Sequence, residues 1–198
     1  MMGVMRFASL AAVPLLAVLT GACLGGGAAP AELLTLTPTE VLPPGATRTA
    51  SPADTLAVLT PSVPRAVNTR RIPVYVNPIT IEYLVGATWV EEPNELFRRL
   101  LAETIAARTG RLVLDPNNFT QAAGATLSGQ LLQFGFEPGR MEVVVAYEGA
   151  LSRGQQSLQT QRFEARVPVT TQDAATIAPA LNQAANQLAE QVAAWIGR

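Results

Sequence analysis

The chain contains no histidine and no lysine; all 14 of its basic residues are arginine. Without an imidazole it lacks the commonest acid/base catalyst and the commonest metal ligand. Without an amine side chain it has no lysine nucleophile and can form no Schiff base. A single cysteine rules out an internal disulfide and any cysteine-built zinc or iron–sulfur site within one chain. Charge is sparse too, at 15% of residues against a typical value of roughly 25%. Gln, Asn, Thr and Ser must therefore carry much of the surface. A net charge of −1 leaves no broad basic footprint for nucleic acid. This inventory disfavours an enzyme, and it leads us to expect neither cofactor nor metal. About 200 residues are enough for one domain of ordinary size with a proper core.

What the chain does have begins at its N-terminus. Arg6 is the one charge in the first seven residues, and residues 8–19 form an apolar run. A run of 12 residues is too short to span a bilayer, which takes roughly 20, but it suits a secretory h-region. Leu19-Thr20-Gly21-Ala22-Cys23 follows directly. The small residues Gly21 and Ala22 let a peptidase accept an extended backbone, and Cys23 supplies a thiol for acylation. These residues resemble the lipobox of bacterial lipoproteins, with Thr20 where leucine is more usual. The alternative is an ordinary signal peptide cut near Ala22 with an incidental cysteine. On the lipoprotein reading, residues 1–22 are a signal peptide, and Cys23 is the lipid attachment point and first mature residue. Several acyl chains at ~0.8 kcal/mol per buried methylene exceed what stable anchoring needs. Residues 23–32 are then the acylated cysteine and its flexible tether. The eight residues from Leu24 to Ala31 reach at most about 28 Å. No aspartate stands just after Cys23, so the expected site is the outer membrane, on its periplasmic face.

Cleavage removes Arg6 alone among the charges, leaving 13 arginines against 15 acidic side chains. Residues 33–198 read as a single α+β domain. Leu33-Leu34-Thr35-Leu36 and Leu56-Ala57-Val58-Leu59 read as short strands separated by a proline-rich loop. Residues 72–76 are extended, Asn77-Pro78 turns the chain, and Ile79, Ile81, Tyr83 and Val85 alternate as one face of a strand. Pro93 opens a helix in the first-turn position, where a missing N–H does no harm. Leu96, Phe97, Leu100, Leu101 and Ile105 form its apolar stripe. Glu95, Arg99 and Glu103 stand four apart, as i,i+4 pairs do, and Gly110 ends it. A short strand over residues 111–114 leads to a turn at Asp115-Pro116-Asn117-Asn118. Residues 126–169 predict a three-stranded meander, turned at Glu137-Pro138-Gly139-Arg140 and at Ser152-Arg153-Gly154-Gln155. A last helix starts near Asp173 and carries Ile177, Leu181, Leu188, Val192, Trp195 and Ile196 at helical spacing. Pro179 either bends this helix or lies in its first turn. The expected architecture is a mainly antiparallel sheet with both amphipathic helices on one face.

A family resemblance rests on several of these segments taken together. A lipobox is closely followed by Leu34-Thr35-Leu36-Thr37-Pro38, then Arg71-Ile72-Pro73-Val74 and a tyrosine-containing strand. Thr88-Trp89-Val90-Glu91-Glu92-Pro93 enters a helix of leucine pairs, a long hairpin carries Phe134, and the last helix closes on Trp195-Ile196. The chain resembles the ABC-type transport auxiliary lipoprotein components, over roughly residues 33–196. It departs from the pattern at Leu33 and Leu34, where aromatic residues are frequent, and at residues 122–125, which lack an acidic residue. The resemblance implies a non-enzymatic accessory of MCE-domain (mammalian cell entry) lipid transporters, similar to the paraquat-inducible operon lipoprotein. It would be anchored in the outer membrane, where it would contact an MCE component and membrane lipid and self-associate. A structural or assembly lipoprotein of the envelope, tied to no transporter, is the alternative.

Individual side chains carry two readings each. Trp89 is either a partner-facing anchor, as tryptophans at interface hot spots are, or core beneath the following helix. Arg70-Arg71 and Arg98-Arg99 can meet lipid phosphate or an acidic partner through guanidinium forks, or stand as solvated pairs. Tyr75, Tyr83 and Trp195 fit packing better than contact with a ligand. Glu91 and Glu92 are adjacent and point opposite ways in an extended chain, so they are not a catalytic pair. Residues 124–129 lack the lysine and spacing of a phosphate loop, and no Gly-x-Ser-x-Gly elbow is present.

Overall fold

In a computed structural model of the chain, residues 32–116, 123–154 and 157–197 are described. The signal segment, the lipobox with Cys23 and the tether to Ala31 lie outside them, as do parts of the turns expected at Asn117-Asn118 and Gln155. In chain order the elements are β1 (Thr55–Val58), β2 (Pro73–Asn77), β3 (Thr80–Tyr83), α1 (Pro93–Thr109), β4 (Leu112–Leu114), β5 (Ala125–Glu137), β6 (Glu142–Arg153), β7 (Ser157–Pro168) and α2 (Ala174–Ile196). A short 3₁₀ turn, Pro52–Asp54, precedes β1.

β5 organises the sheet. Along one side it pairs with β6 antiparallel, from Thr126↔Ser152 to Glu137↔Glu142, and β6 pairs likewise with β7. Its other side is divided. β1 lies parallel to its first residues (Leu56↔Ala125, Val58↔Leu127), Ser62 bridges to Gln130, and β2 runs parallel beside its end at Val74↔Phe136. β4 continues the sheet outward from β1 in parallel, and β3 does so from β2 as an antiparallel hairpin. One edge of the sheet therefore forks into two short arms. The expected α+β class with two helices holds, but the sheet is mixed: antiparallel through its long strands, parallel where β1 and β2 join β5.

Both helices lie on the face bearing Leu127, Phe134 and Phe136 of β5 and Val143, Val145 and Tyr147 of β6, each at most 1% exposed. Helix α1 starts at Pro93, buries Leu96, Phe97, Leu100, Leu101 and Ile105, and stops at Gly110, whose φ of +72° suits a residue without Cβ. At the N-cap of α2, the Asp173 carboxylate accepts the Thr176 N–H at 2.9 Å. The buried stripe of α2 combines Ile177, Leu181, Leu188 and Val192 with Ala184, Ala185 and Ala189, and these small residues let α1 and the sheet approach closely. Phe97, Tyr147, Phe163 and Trp195 form a chain of ring contacts with centroids 5.5–6.5 Å apart. Each such pair adds about 0.5–1.5 kcal/mol beyond area burial. Space for the Tyr147 ring comes from Gly129 and Gly149, which face each other across β5 and β6. A methyl group on Gly129 would overlap the Glu148 carbonyl oxygen and Tyr147 Oη.

Several local expectations are corrected. Leu33-Leu36 is not a strand: Leu34 makes one bridge to Trp89, and the following residues bond to side chains of α2. Of the expected strand face Ile79-Ile81-Tyr83-Val85 only Ile81 and Tyr83 lie in β3; Ile79 and Val85 fall in turns at its two ends and are 95% and 90% exposed, while Ile81, on the face away from the helices, is 44% exposed. In β7, where Leu158 reads with Phe163, Ala165 and Val167 as the apolar residues of the third meander strand, Leu158 is 70% exposed because it lies on the opposite face from the other three. Arg99 pairs with Glu91, while Arg98 pairs with Glu95 and Asp115, so the predicted i,i+4 ladder is replaced by one i,i+3 pair and two partners outside the helix. Pro179 lies inside α2, in its second turn.

Candidate functional site

If the chain hangs from Cys23, the residues that receive the tether form the first site of interest. From Glu32 onward the backbone follows α2 from its N-terminal turn. Leu34 donates its N–H to the Thr88 carbonyl at 2.9 Å and accepts from Val90 at 2.8 Å, one rung of parallel pairing beside Trp89. Asn182 Oδ1 accepts the Thr37 N–H at 2.8 Å. One turn further, Asn186 accepts the Thr39 N–H at 2.8 Å and donates Nδ2 to the Thr37 carbonyl at 2.9 Å. The Asn186 amide thus does for Thr37 and Thr39 what a neighbouring strand would do. It is 4% exposed and fully satisfied, with a further bond to the Asn182 carbonyl. Leu36 tucks into the core between these bonds. Sequence reading missed this clasp. The available signal was two asparagines spaced four apart in an alanine-rich helix, where asparagine is a poor helix former and needs another reason to be present.

Trp89, offered above as either anchor or core, is core. It is 1% exposed and meets Phe134 edge-on with centroids 5.5 Å apart. Its main chain fixes the neighbourhood, the N–H donating to the Arg70 carbonyl at 2.8 Å. Its indole Nε1–H is buried without a partner. A partner contact through this side chain is therefore corrected: the ring is buried against Phe134, and a cleft lined by Glu32, Thr35, Trp89, Ala178 and Asn182 lies beside it.

Arg70 and Arg71 are both exposed but are not presented as one fork. Arg70 reaches the Val90 carbonyl at 3.3 Å, and the Arg71 guanidinium lies 4.1 Å from the ring centre of Tyr83, a cation–π stack. Arg99 holds the Glu91 carboxyl below its ordinary range, so Glu91 is kept ionised rather than poised as an acid. On the outer face of the sheet, Arg166 contacts Glu137 and Glu164 at 2.6 Å each and Glu142 at 3.5 Å. Glu137 above all holds that guanidinium even more firmly charged than usual. Burial pushes both Tyr75 and Tyr147 up. Tyr147 Oη donates to the Ser128 carbonyl at 2.8 Å, and Tyr75 Oη accepts the Phe134 N–H at 3.2 Å. These tyrosines are packing residues.

A shallow groove of about 480 Å³ runs between Val41-Leu42, α1 (Ala102, Ala106) and β4 (Val113), with Arg98 and Asp115 at its side. Among the described residues no group of three or more acidic, histidine or cysteine side chains could hold a metal ion. No helix of the described residues is long and apolar enough to cross a membrane. The arrangement seats the segment from Leu34 to Thr39 on α2 and leaves the groove beside α1 open.

The fold has solved counterparts. A Xanthomonas campestris protein whose structure is described as DUF330 superposes with a TM-score of 0.67 at 18% identity, covering 83% of this chain and 94% of its own. The crystal structure of an uncharacterised protein gives a TM-score of 0.62 at 15% identity, covering 84% of this chain and 98% of its own. At such identities the likeness is one of fold. No curated protein matches the chain. The profile of the ABC-type transport auxiliary lipoprotein components matches residues 35–193. That span contains β1 to β7, α1, nearly all of α2 and the Asn182–Asn186 clasp, and the chain belongs to this family.

Proposed function

We propose that the protein is a non-enzymatic, lipid-anchored accessory of an MCE-type ABC transporter that moves lipids between the inner and outer membranes. It is held at the periplasmic face of the outer membrane through acylated Cys23 and works by contact with the MCE component and with further copies of itself. The family match over residues 35–193 carries this reading. The lipobox at residues 19–23 and the firm seating of the following chain on α2 support it, because a body that works at the end of a tether needs a fixed point of attachment.

Two experiments test the proposal. Replacing Cys23 with Ala is expected to move the protein from the membrane fraction to the soluble one, and unchanged partitioning would remove the anchor. Affinity purification from gently solubilised envelopes, read by mass spectrometry, is expected to recover an MCE protein. Recovery of peptidoglycan-associated partners alone would instead favour an envelope assembly lipoprotein.

A further inference from the structure

Three exposed features gather at one end of the molecule. The clasped segment, followed backwards from Thr39 at Asn186 through Thr37 at Asn182, brings Glu32 beside Ala174 and Ala175 in the first turn of α2. The tether therefore leaves the body at the N-terminal end of α2. The β5–β6 turn lies at this end too, because Gln172 touches the Met141 sulfur at 3.5 Å and Met141 accepts the Val169 N–H. The β2–β3 hairpin points the same way. β2 runs parallel to β5 with Val74 beside Phe136, and its tip flanks Gly139 and Arg140.

Apolar side chains stand without cover along β3, from the hairpin tip to the tether exit at its other end. Ile79 at the hairpin tip is 95% exposed, Val85 90%, Leu33 51% and Ile81 44%. Gly86, next to Val85, lines the same cleft as Glu32. Arginines flank them: Arg140, whose side chain is 68% exposed with only a 3.6 Å approach to Glu137, and Arg71 stacked on Tyr83. Scattered exposed apolar residues need no explanation, but a cluster edged by basic groups marks an interaction surface.

We propose that this side of the molecule, running along β3 from Ile79 at the hairpin tip to Val85 beside the tether exit, rests in the headgroup region of the bilayer that holds the Cys23 acyl chains. The inference builds on the acylation of Cys23 proposed above. What selects a lipid surface over another occupant is the chain between anchor and body. Nine residues, Cys23 to Ala31, separate the acylated sulfur from Glu32, a reach of about 30 Å when fully extended. A tether that short holds this side at high effective concentration over the membrane, so that side chains too few to bind alone engage once the anchor is in place. The apolar tip enters the acyl boundary while Arg140 and Arg71 meet phosphate, the division of labour of interfacial segments.

The test uses acylated full-length protein carrying Ile79→Cys, Val85→Cys or, at the far end of β7, Leu158→Cys. Leu158 lies ten residues along the strand from Pro168, roughly 33 Å at the usual rise. Acylation consumes the Cys23 thiol, so each variant has one reactive sulfur for a polarity-sensitive fluorophore. On vesicles of phosphatidylethanolamine and phosphatidylglycerol, labels at 79 and 85 are expected to shift to the blue and to lose several-fold of their quenching by aqueous iodide. The label at 158 is expected to keep both properties unchanged. Equal quenching at all three positions on vesicle-bound protein would overturn the proposal and leave the anchor standing. Failure of the protein to float with the vesicles would overturn both. Protection of position 79 in a Cys23→Ala background, in buffer without lipid, would place a second copy over the patch and overturn the membrane assignment alone.

Discussion

Trp89 and Asn186 have opposite polar accounts, and substitutions at the two should show it. Trp89 fills a large volume against Phe134 but leaves its indole N–H unpaired. Trp89→Ala should cost about 3–5 kcal/mol through the cavity it leaves. Trp89→Phe keeps most of the ring and removes the orphaned donor, so its net cost should stay under about 1.5 kcal/mol. Urea denaturation of the two variants checks the contrast, and equal losses would contradict it. Asn186 has every donor and acceptor in use. Asn186→Leu should strand the Thr37 carbonyl and the Thr39 N–H, each at about 1–3 kcal/mol if left unpaired. In practice the segment is expected to lift and hydrate. Limited proteolysis should then cut near residues 33–42 while the rest of the chain stays resistant. Unchanged resistance there would mean the clasp contributes little.

At the scale of elements, two glycines separate two physical causes. Gly129→Ala drives a methyl group into the Glu148 carbonyl and the Tyr147 ring, a conflict inside the sheet. Gly110→Ala meets open space but keeps φ at +72°, a backbone penalty of about 1–2 kcal/mol. Thermal melts should therefore rank Gly129→Ala well below Gly110→Ala, and the reverse order would refute the packing account of the Tyr147 pocket. The same elements show how far the sequence could be read. Helix α1 was legible because Pro93, a leucine stripe and Gly110 are local signals. The β5–β6–β7 meander was legible because its turns lie between neighbouring strands. The parallel pairings of β1 and β2 with β5 were not, since Leu56 meets Ala125 across almost seventy residues and no local pattern encodes a partner so distant. β3 misled for a related reason: alternation shows that one side of a strand is apolar but not that anything covers it. Of the candidate site, the lipobox reading of residues 19–23 rests on the sequence alone, outside the described residues, whereas the clasp could not be read there, because asparagine partners at residues 37 and 39 leave no trace in helical periodicity.

For the whole molecule, the missing histidine shapes the dependence on pH. Glu91 and Asp173 titrate below their ordinary values of 4.5 and 3.8, the first chiefly through Arg99 and the second chiefly through Thr171. A lowered carboxylate adds stability that is present above its unfolded value and disappears as pH falls through the folded one. Tyr75 and Tyr147 titrate above their ordinary 10.0 because burial disfavours the phenolate. Their contribution is complete below that value and disappears as pH rises through the folded ones. Between these limbs no histidine is available to titrate. The melting temperature of the Cys23→Ala chain should accordingly stay flat from about pH 5 to about pH 9, falling on both sides. A step near pH 6 to 7 would contradict this.

The clasp also sets an order of events in time. Thr37 and Thr39 are synthesised some 145 residues before the asparagines that hold them, and chains are made from the N-terminus onward. Until α2 exists, only the single rung that Leu34 makes with Thr88 and Val90 can pin the segment that leads toward Cys23. On the acylation proposed for Cys23, the segment that follows it takes its full seat on the body only as the last helix docks. The final fold is in this sense a clock: the closing of α2 over residues 37–39 marks the moment when the segment ahead of β1 exchanges an open end for a seat.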